Sequence, residues 1–498
     1  MRAPRRRMLP LLLGGSALLI LALPASAEAH GIVGKADLPI PVWLFSWTAA
    51  IVLVVSFVAL STLWRTPQLQ SEHRRPLLRR AVPTTTPGVA GSAARVASAT
   101  ALEALAGMLG LALFALVLYS GFAGAQVPGA NFSVTFVYVI FWVGLPVLSV
   151  LFGDVFAALS PWRTCARVLR ALMRLSSRGA SAGARPNAPL RYPDRLGVWP
   201  ALAGIVGFAW LELVFVNRDE PSLLAALSLG YFVVMVLGML LFGVERWAAS
   251  GDGFGVYFNL LGRLSPLVRD ERGALCWRRP LSGIASLQIP PGMVTLICAL
   301  IGTTTFDGFS NGGIWRKAEP ELQSAFSGLG LGPTPSQELA YSVGLVLCIC
   351  LIVAVYRVGI LGVRSVSARF DAGQLTRAFA HTLVPIAFAY VLAHYFSLLI
   401  WQGQTLGYLI SDPLGNGSNL FGTSGYQIDY QVLSYAAIWY VQVAALIAGH
   451  VGGLALAHDR ALSMYDEPEE AVRSQYWMLA VMVAFTSFGL WLLSDVGT

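Results

Sequence analysis

The chain has 498 residues, 56% of them hydrophobic and only 12% charged, with a formal net charge of +8 and a mean hydropathy of +0.65. Soluble domains carry about 25% charged residues, so this composition excludes a soluble enzyme, a disordered protein and an ordinary nucleic-acid binder. It describes an all-α, polytopic transmembrane helix bundle whose surroundings are the lipid bilayer.

The N-terminus reads as an export signal. Arg2, Arg5, Arg6 and Arg7 form a basic n-region, and Leu9 to Leu23 form a short apolar core. Ala25-Ser26-Ala27 and Ala27-Glu28-Ala29 are overlapping cleavage signatures. The expectation is a signal peptide over 1–29 and a single transmembrane domain over 30–498. An uncleaved first helix is the alternative. A cut after Ala29 would start the mature chain at His30, whose imidazole and terminal amine can chelate Cu(II). A cut after Ala27 removes that clamp.

Ten apolar stretches follow, each long enough to cross a ~30 Å hydrocarbon core at 1.5 Å per residue. They lie at about 42–64, 101–121, 134–160, 199–216, 223–248, 291–309, 339–358, 376–401, 431–457 and 476–494. With the N-terminus outside, the inward loops are 65–100, 161–198, 246–290, 357–377 and 458–475. They hold 26 of the 34 Lys and Arg residues, whereas the outward segments hold Lys35, Arg218, Arg316 and Lys317. This is the positive-inside asymmetry. It predicts a multi-pass plasma-membrane protein with both termini extracytoplasmic, and it explains the basic charge without a nucleic-acid partner.

Within the second inward loop, Trp162 to Arg174 repeats arginine at three- or four-residue spacing, which suits a surface helix along the inner leaflet. Ser176–Pro189 and Pro83–Ala94 read as linkers. None of the five cysteines (Cys165, Cys276, Cys298, Cys348 and Cys350) falls in an outward loop. Packing is their expected role. Gly251-Asp252-Gly253-Phe254 and Phe306-Asp307-Gly308-Phe309 look alike but fall on opposite sides, so the likeness reads as chance.

Ionisable residues at membrane depth are costly and therefore candidate functional residues. Glu212, Asp307 and His394 lie toward the outer face. Glu103, Asp154, Glu245, His381, His450 and His458 lie toward the inner face. His381 and His394 are separated by about 20 Å of helix, so they belong to two clusters. In the inner cluster, which also includes His450, the residues Glu103, Glu245, His381 and His458 have an economical structural reading as snorkelling groups or partners of Arg246, Arg377 or Arg460. Asp154 can bond an arginine at the Ser160-Pro161-Trp162-Arg163 exit. Glycines around His450 allow close helix approach.

The outer cluster carries more chemistry. Thr303, Thr304 and Thr305 precede Asp307 at the end of one span, and Ala393-His394-Tyr395 lies on another. The two longest outer loops, 310–338 and 402–430, follow these same spans and are long enough to cap a site. Carboxylate plus imidazole suits a divalent metal (Zn or Cu) or an acid–base pair. The structural alternative has the hydroxyls bonding back to helix carbonyls while Asp307 caps the chain exit.

Three stretches also carry a family resemblance: His30 to Pro41 with Trp43-Leu44-Phe45, Thr304 to Phe309, and Pro385 to Tyr390 leading into Ala393-His394-Tyr395. In these, and in length, signal and helix count, the chain resembles actinobacterial membrane proteins known as fenitrothion hydrolase. The resemblance implies cleavage of an organophosphorus triester, an apolar small-molecule substrate, and brings no residue-level roles. The H-x-H pairs of soluble phosphotriesterases are absent from the sequence. The expectation is a membrane-embedded hydrolase using Asp307, His394 and Glu212, with metal at Asp307 and His394. The alternatives are a transporter or metal-handling permease, in which the inner histidines relay protons or metal, and a non-catalytic component that needs a partner membrane subunit.

Overall fold

The computed structural model describes residues 42–76, 89–176, 189–269, 275–366 and 369–495. The signal, its cleavage sites and His30 lie outside the described residues. Among the described residues, thirteen helices of ten or more residues organise the chain, with shorter ones between them. α1 (Val42–Leu63) contains no charged side chain, so nothing in it opposes contact with hydrocarbon. α2 (Val89–Ala123) follows, and then α3 (Phe132–Phe152), which is π-helical over Phe136–Gly144. Pro146 follows that segment directly. A proline lacks the N–H and crowds the carbonyl four residues back, and here the ladder widens so that Leu145 N–H bonds Ile140 O.

α4 (Pro161–Ser176) is the expected amphipathic helix, with Trp162 and Ala166 buried and Val168, Leu172 and Met173 exposed beside its arginines. Next come α5 (Trp199–Leu213), α6 (Pro221–Phe242), α7 (Gly253–Gly262), α8 (Met293–Ser310) and α9 (Gly313–Gly328). The chain closes with α10 (Pro333–Val366), α11 (Leu383–Trp401), α12 (Tyr435–Met464) and α13 (Tyr476–Asp495). All but α4, α7 and α9 belong to the ten helices long and apolar enough to cross a membrane among the described residues. The protein is an all-α, multi-pass membrane protein.

α8 and α11 form the centre, with 78% and 67% of their most apolar windows buried, against 22% for α1 and 17% for α2 at the periphery. α11 packs most extensively on α12. Gly449 and Gly453 make that crossing close: a Cβ at Gly449 would lie 2.7 Å from Pro385 O, and one at Gly453 2.8 Å from Thr382 O. Small residues four apart let helix backbones meet and gain dispersion contact.

The arginine-rich loops gather on one face. A three-stranded antiparallel sheet joins them there, formed by β1 (Arg75–Pro76), β2 (Leu267–Arg269) and β3 (Leu275–Trp277) in the order β1-β3-β2. The sheet was not expected; strands of two or three residues leave no alternation to read. Arg278 is buried beneath it, donating to Ser265 O at 2.8 Å, Gly262 O at 2.9 Å, Arg263 O at 2.9 Å and Glu72 Oε1 at 3.1 Å.

The expected inward loop 246–290 also contains a helix tucked into the bundle. α7 packs against α3 and α5, with Phe254, Tyr257, Phe258 and Leu261 buried. Asp252 anchors its start, accepting from Trp162 Nε1 at 2.6 Å and from the Tyr231 hydroxyl at 3.0 Å. This Gly-flanked aspartate is a buried tie between α4, α6 and α7.

Burial pushes the Asp252 carboxyl up to about 6, against the opposing pull of bonds from Trp162, the Gly255 N–H and Tyr231. The folded chain thus keeps a proton that the unfolded chain releases near 4, and stability should fall as pH rises from about 4 to about 6. The contribution is about 3 kcal/mol at most for a shift of roughly two pH units. Asp252→Asn should flatten this part of the profile in thermal melts of detergent-purified protein. Parallel wild-type and variant profiles would leave Asp252 with no such role.

Candidate functional site

Asp307 and His394 meet where α8 and α11 pack together. His394 Nε2 lies 2.9 Å from Asp307 Oδ2, and the Tyr395 hydroxyl donates to the same oxygen at 2.6 Å. Consecutive helix residues point about 100° apart, so both reach one atom only because the carboxylate enters between them. All three side chains are buried, with exposures of 2% for Asp307, 5% for His394 and 3% for Tyr395. The imidazole also stands edge-on to the Tyr395 ring, with centroids 4.7 Å apart.

Glu212, near the end of α5, is buried within electrostatic range of Asp307 and Arg218. Trp142 lies between this second carboxylate and Tyr395, close to both but aligned with neither. Trp142 belongs to the π-helical part of α3, so the widened ladder aims it here. Tyr257 of α7 completes the group: its ring centroid is 5.3 Å from that of Trp142, and its buried hydroxyl has no hydrogen-bond partner and senses the Glu212 charge. Five helices therefore converge on two carboxylates, one imidazole, two phenols and an indole.

Thr303, Thr304 and Thr305 spend their hydroxyls on the carbonyls of Leu300 and Ile301. They build the helix and not the site. His394 Nε2 and Asp307 Oδ2, of the pair expected to hold Zn or Cu, are bonded to each other. Among the described residues, no three His, Cys, Asp or Glu side chains converge as a metal site would require.

The loop 402–430 caps this end as an ordered unit. Gln404 is its hub: Nε2 donates to Ile400 O and Asp429 O, both at 3.0 Å, and Oε1 accepts from the Tyr426 hydroxyl and Asp429 N–H, both at 3.0 Å. Loop 310–338 contains the helix α9. Its Trp315 packs edge-on to Phe306 and Tyr341, with centroids 5.3 Å away in each case.

The other predicted residues do not assemble into a second cluster. Asp154 caps the short helix Val155–Leu159 through Ala157 N–H at 3.0 Å and accepts from Asn259 Nδ2 at 2.9 Å; asparagine takes the place expected for arginine. Glu245 pairs with Arg163 and Arg167, while Arg246 turns to Asp194 at 2.9 Å. His458 bonds Trp64 O at 2.9 Å. His381 is buried against the Ala378 backbone. His450 is fully buried, with Nδ1 2.8 Å from Leu446 O.

Three of the cavities among the described residues bear on the candidate residues. The smallest, about 10 Å³, touches Thr304, Gly308, Tyr390 and His394 and has room for one water. A second of about 40 Å³ touches His450, Tyr356 and Thr382. The largest, about 790 Å³, is a vestibule at the arginine-rich face lined by Asp154, Arg163, Glu245, Asp252, Asn259 and Arg263 among others. Gly255, Val256, Asn259 and Leu260 of α7 also line it. Helical periodicity puts Phe254, Tyr257, Phe258 and Leu261 on the opposite face of α7. One helix thus separates the vestibule from Tyr257 and its neighbour Glu212.

Tyr395, Trp142 and Tyr257 were not anticipated as site members, because aromatic residues on apolar helices read as core. The one available signal was Pro146, which marks the distortion that places Trp142. Comparisons with protein-family models, curated proteins and solved structures give no match to this chain.

Proposed function

We propose that this protein is a multi-pass plasma-membrane protein of the proton-coupled transport class, which takes up and releases a proton at the Asp307–His394–Tyr395 centre. One observation carries this reading. An imidazole and a phenol are both hydrogen-bonded to one carboxylate oxygen inside the bundle, next to a second carboxylate, with space beside them for a single water. Intramembrane acid–histidine groups are expensive to bury and serve as proton sites. The pair offers a place for a proton to move over 2.9 Å without an exposed charge.

The arginine-rich face is assigned to the cytoplasm by the positive-inside rule, with both termini outside. Cysteines placed at Ser327 and Ser418 should react with an impermeant thiol reagent in intact cells, whereas one at Ser181 should not. Equal labelling at Ser181 would invert or break this topology.

The activity itself is tested in proteoliposomes containing a trapped pH dye. A pH step across the membrane should produce dye acidification that protein-free vesicles lack. The hydrolase reading has one observation in its favour: Asp307 orients His394 as a carboxylate orients a general base. A triester needs a pocket of some hundreds of Å³, so that reading requires the centre to open. Nitrophenol release by the purified protein, without proton flux, would decide for hydrolysis.

A further inference from the structure

We propose that the vestibule at the arginine-rich face is a binding site for a small monovalent organic oxyanion, a carboxylate with an apolar body, held by Arg263. The site is separate from the Asp307 centre and stands whether or not that centre moves protons.

Four acids and three arginines line this space of about 790 Å³. Both oxygens of each acid already face a donor. Glu245 holds Arg163 on one oxygen and Arg167 on the other. Asp194 does the same with Arg246 at 2.9 Å and Arg191 at 3.6 Å. Asp154 accepts from Ala157 N–H and Asn259 Nδ2, and Asp252 from Trp162 and Tyr231. These acids are therefore engaged, and none is left open to a cation.

Of the arginines, Arg163 and Arg246 are consumed in those pairs, and Arg263 is not. It follows α7 directly, with its backbone N–H on Asn259 O at 3.2 Å and its carbonyl accepting from buried Arg278 at 2.9 Å. Its Nε donates to Asn259 Oδ1 at 3.4 Å, and the Asn259 amide is turned that way because its nitrogen donates to Asp154 at 2.9 Å. Among the described residues this is the only hydrogen bond of the Arg263 side chain. The stem is held while both terminal nitrogens stay open, on a half-buried residue that lines the vestibule. A guanidinium with an open fork binds a carboxylate through two parallel N–H···O bonds.

The neighbours set the charge and shape of the occupant. Asp154 and Glu72 lie within electrostatic range of Arg263, so the surroundings already carry negative charge. One further negative charge is compensated by the guanidinium, whereas a dianion meets like-charge repulsion. Half-buried Leu287, Ile289 and Pro290, on the chain leading into α8, line the same space together with Val256 and Leu260 of α7. A space of this size takes a small organic molecule, and these walls shield its apolar body from water.

The test uses full-length protein in nanodiscs of zwitterionic lipid and measures radiolabelled benzoate by equilibrium dialysis at neutral pH against empty discs. Saturable binding of one benzoate per protein is expected. Arg263→Gln should weaken it roughly tenfold or more, as loss of a charge-assisted pair does. Arg263→Lys, which keeps the charge but not the fork, should fall between. Arg364→Gln removes an exposed cation at the end of α10, outside the vestibule, and should bind as wild type does. Phenyl phosphate, a dianion of similar shape, should compete less well than unlabelled benzoate; tighter binding of it would overturn the monovalent assignment. Discs of phosphatidylglycerol should leave binding little changed, and displacement by that lipid would reassign the oxyanion to a headgroup and overturn a soluble ligand. Absence of saturable binding to folded protein, wild-type affinity in folded Arg263→Gln, or an equal loss in Arg364→Gln would overturn the site.

Discussion

Asp307→Asn and His394→Ala should each remove nearly all proton flux, a loss of two orders of magnitude or more, while insertion and folded yield persist. The asparagine can still accept from Tyr395 but cannot hold or release a proton, and the alanine removes the nitrogen 2.9 Å from the carboxylate. The two side chains act on one proton, so the double variant should be little worse than either single. His381→Ala should stay near wild type, because about 20 Å of helix separates it from His394. Flux per folded molecule in proteoliposomes is the measurement. Full flux in folded Asp307→Asn would refute the centre.

The second large effect concerns stability. Asp459 is fully buried at the arginine-rich end of α12 and gathers the chain that leaves α1. It accepts from Trp64 Nε1 at 3.1 Å, Gln68 N–H at 2.5 Å, Leu69 N–H at 3.1 Å and Gln70 Nε2 at 2.7 Å. Asp459→Ala strips four donors of their acceptor at once. An unsatisfied buried donor costs about 1–3 kcal/mol; the Leu69 N–H is buried while the other three donors are partly exposed and can turn to water, so a loss of about 2 kcal/mol is expected. Asp459→Asn keeps one acceptor oxygen and should fall between. The unfolding midpoint in detergent reports the effect, and an unchanged midpoint for Asp459→Ala would show that the clamp does not hold the fold. Proton flux per folded molecule should survive, because the clamp lies at the other end of the bundle.

The spans were legible because each is a long apolar run, and bilayer thickness leaves such a run one economical solution. Asp307 and His394 could be placed at similar depth by counting residues along their helices, but the hydrogen bond between them depends on how α8 crosses α11. No spacing in the sequence encodes that crossing. α7 escaped notice because its ten residues are too few to span and follow a Gly-Asp-Gly turn. α9 was hidden by Pro320 within its own length and by the glycines around it. The Asp459 clamp was unreadable for a different reason: its partners lie about 390 residues away, and two of the four are backbone N–H groups, which any residue supplies.

The thinness of α7 has an electrical consequence. A vestibule of about 790 Å³ open to electrolyte carries the potential of its own side of the membrane up to the helix wall. The applied voltage then falls over little more than the wall and the packed layer beyond it, not over the whole hydrocarbon thickness. A helix with its side chains is about 10–12 Å across, so the field there is steeper than across a lipid slab of about 30 Å. Moving one elementary charge through the full drop is worth about 2.3 kcal/mol per 100 mV. Glu212 lies beyond that wall, next to Tyr257, where a charge would feel part of the drop.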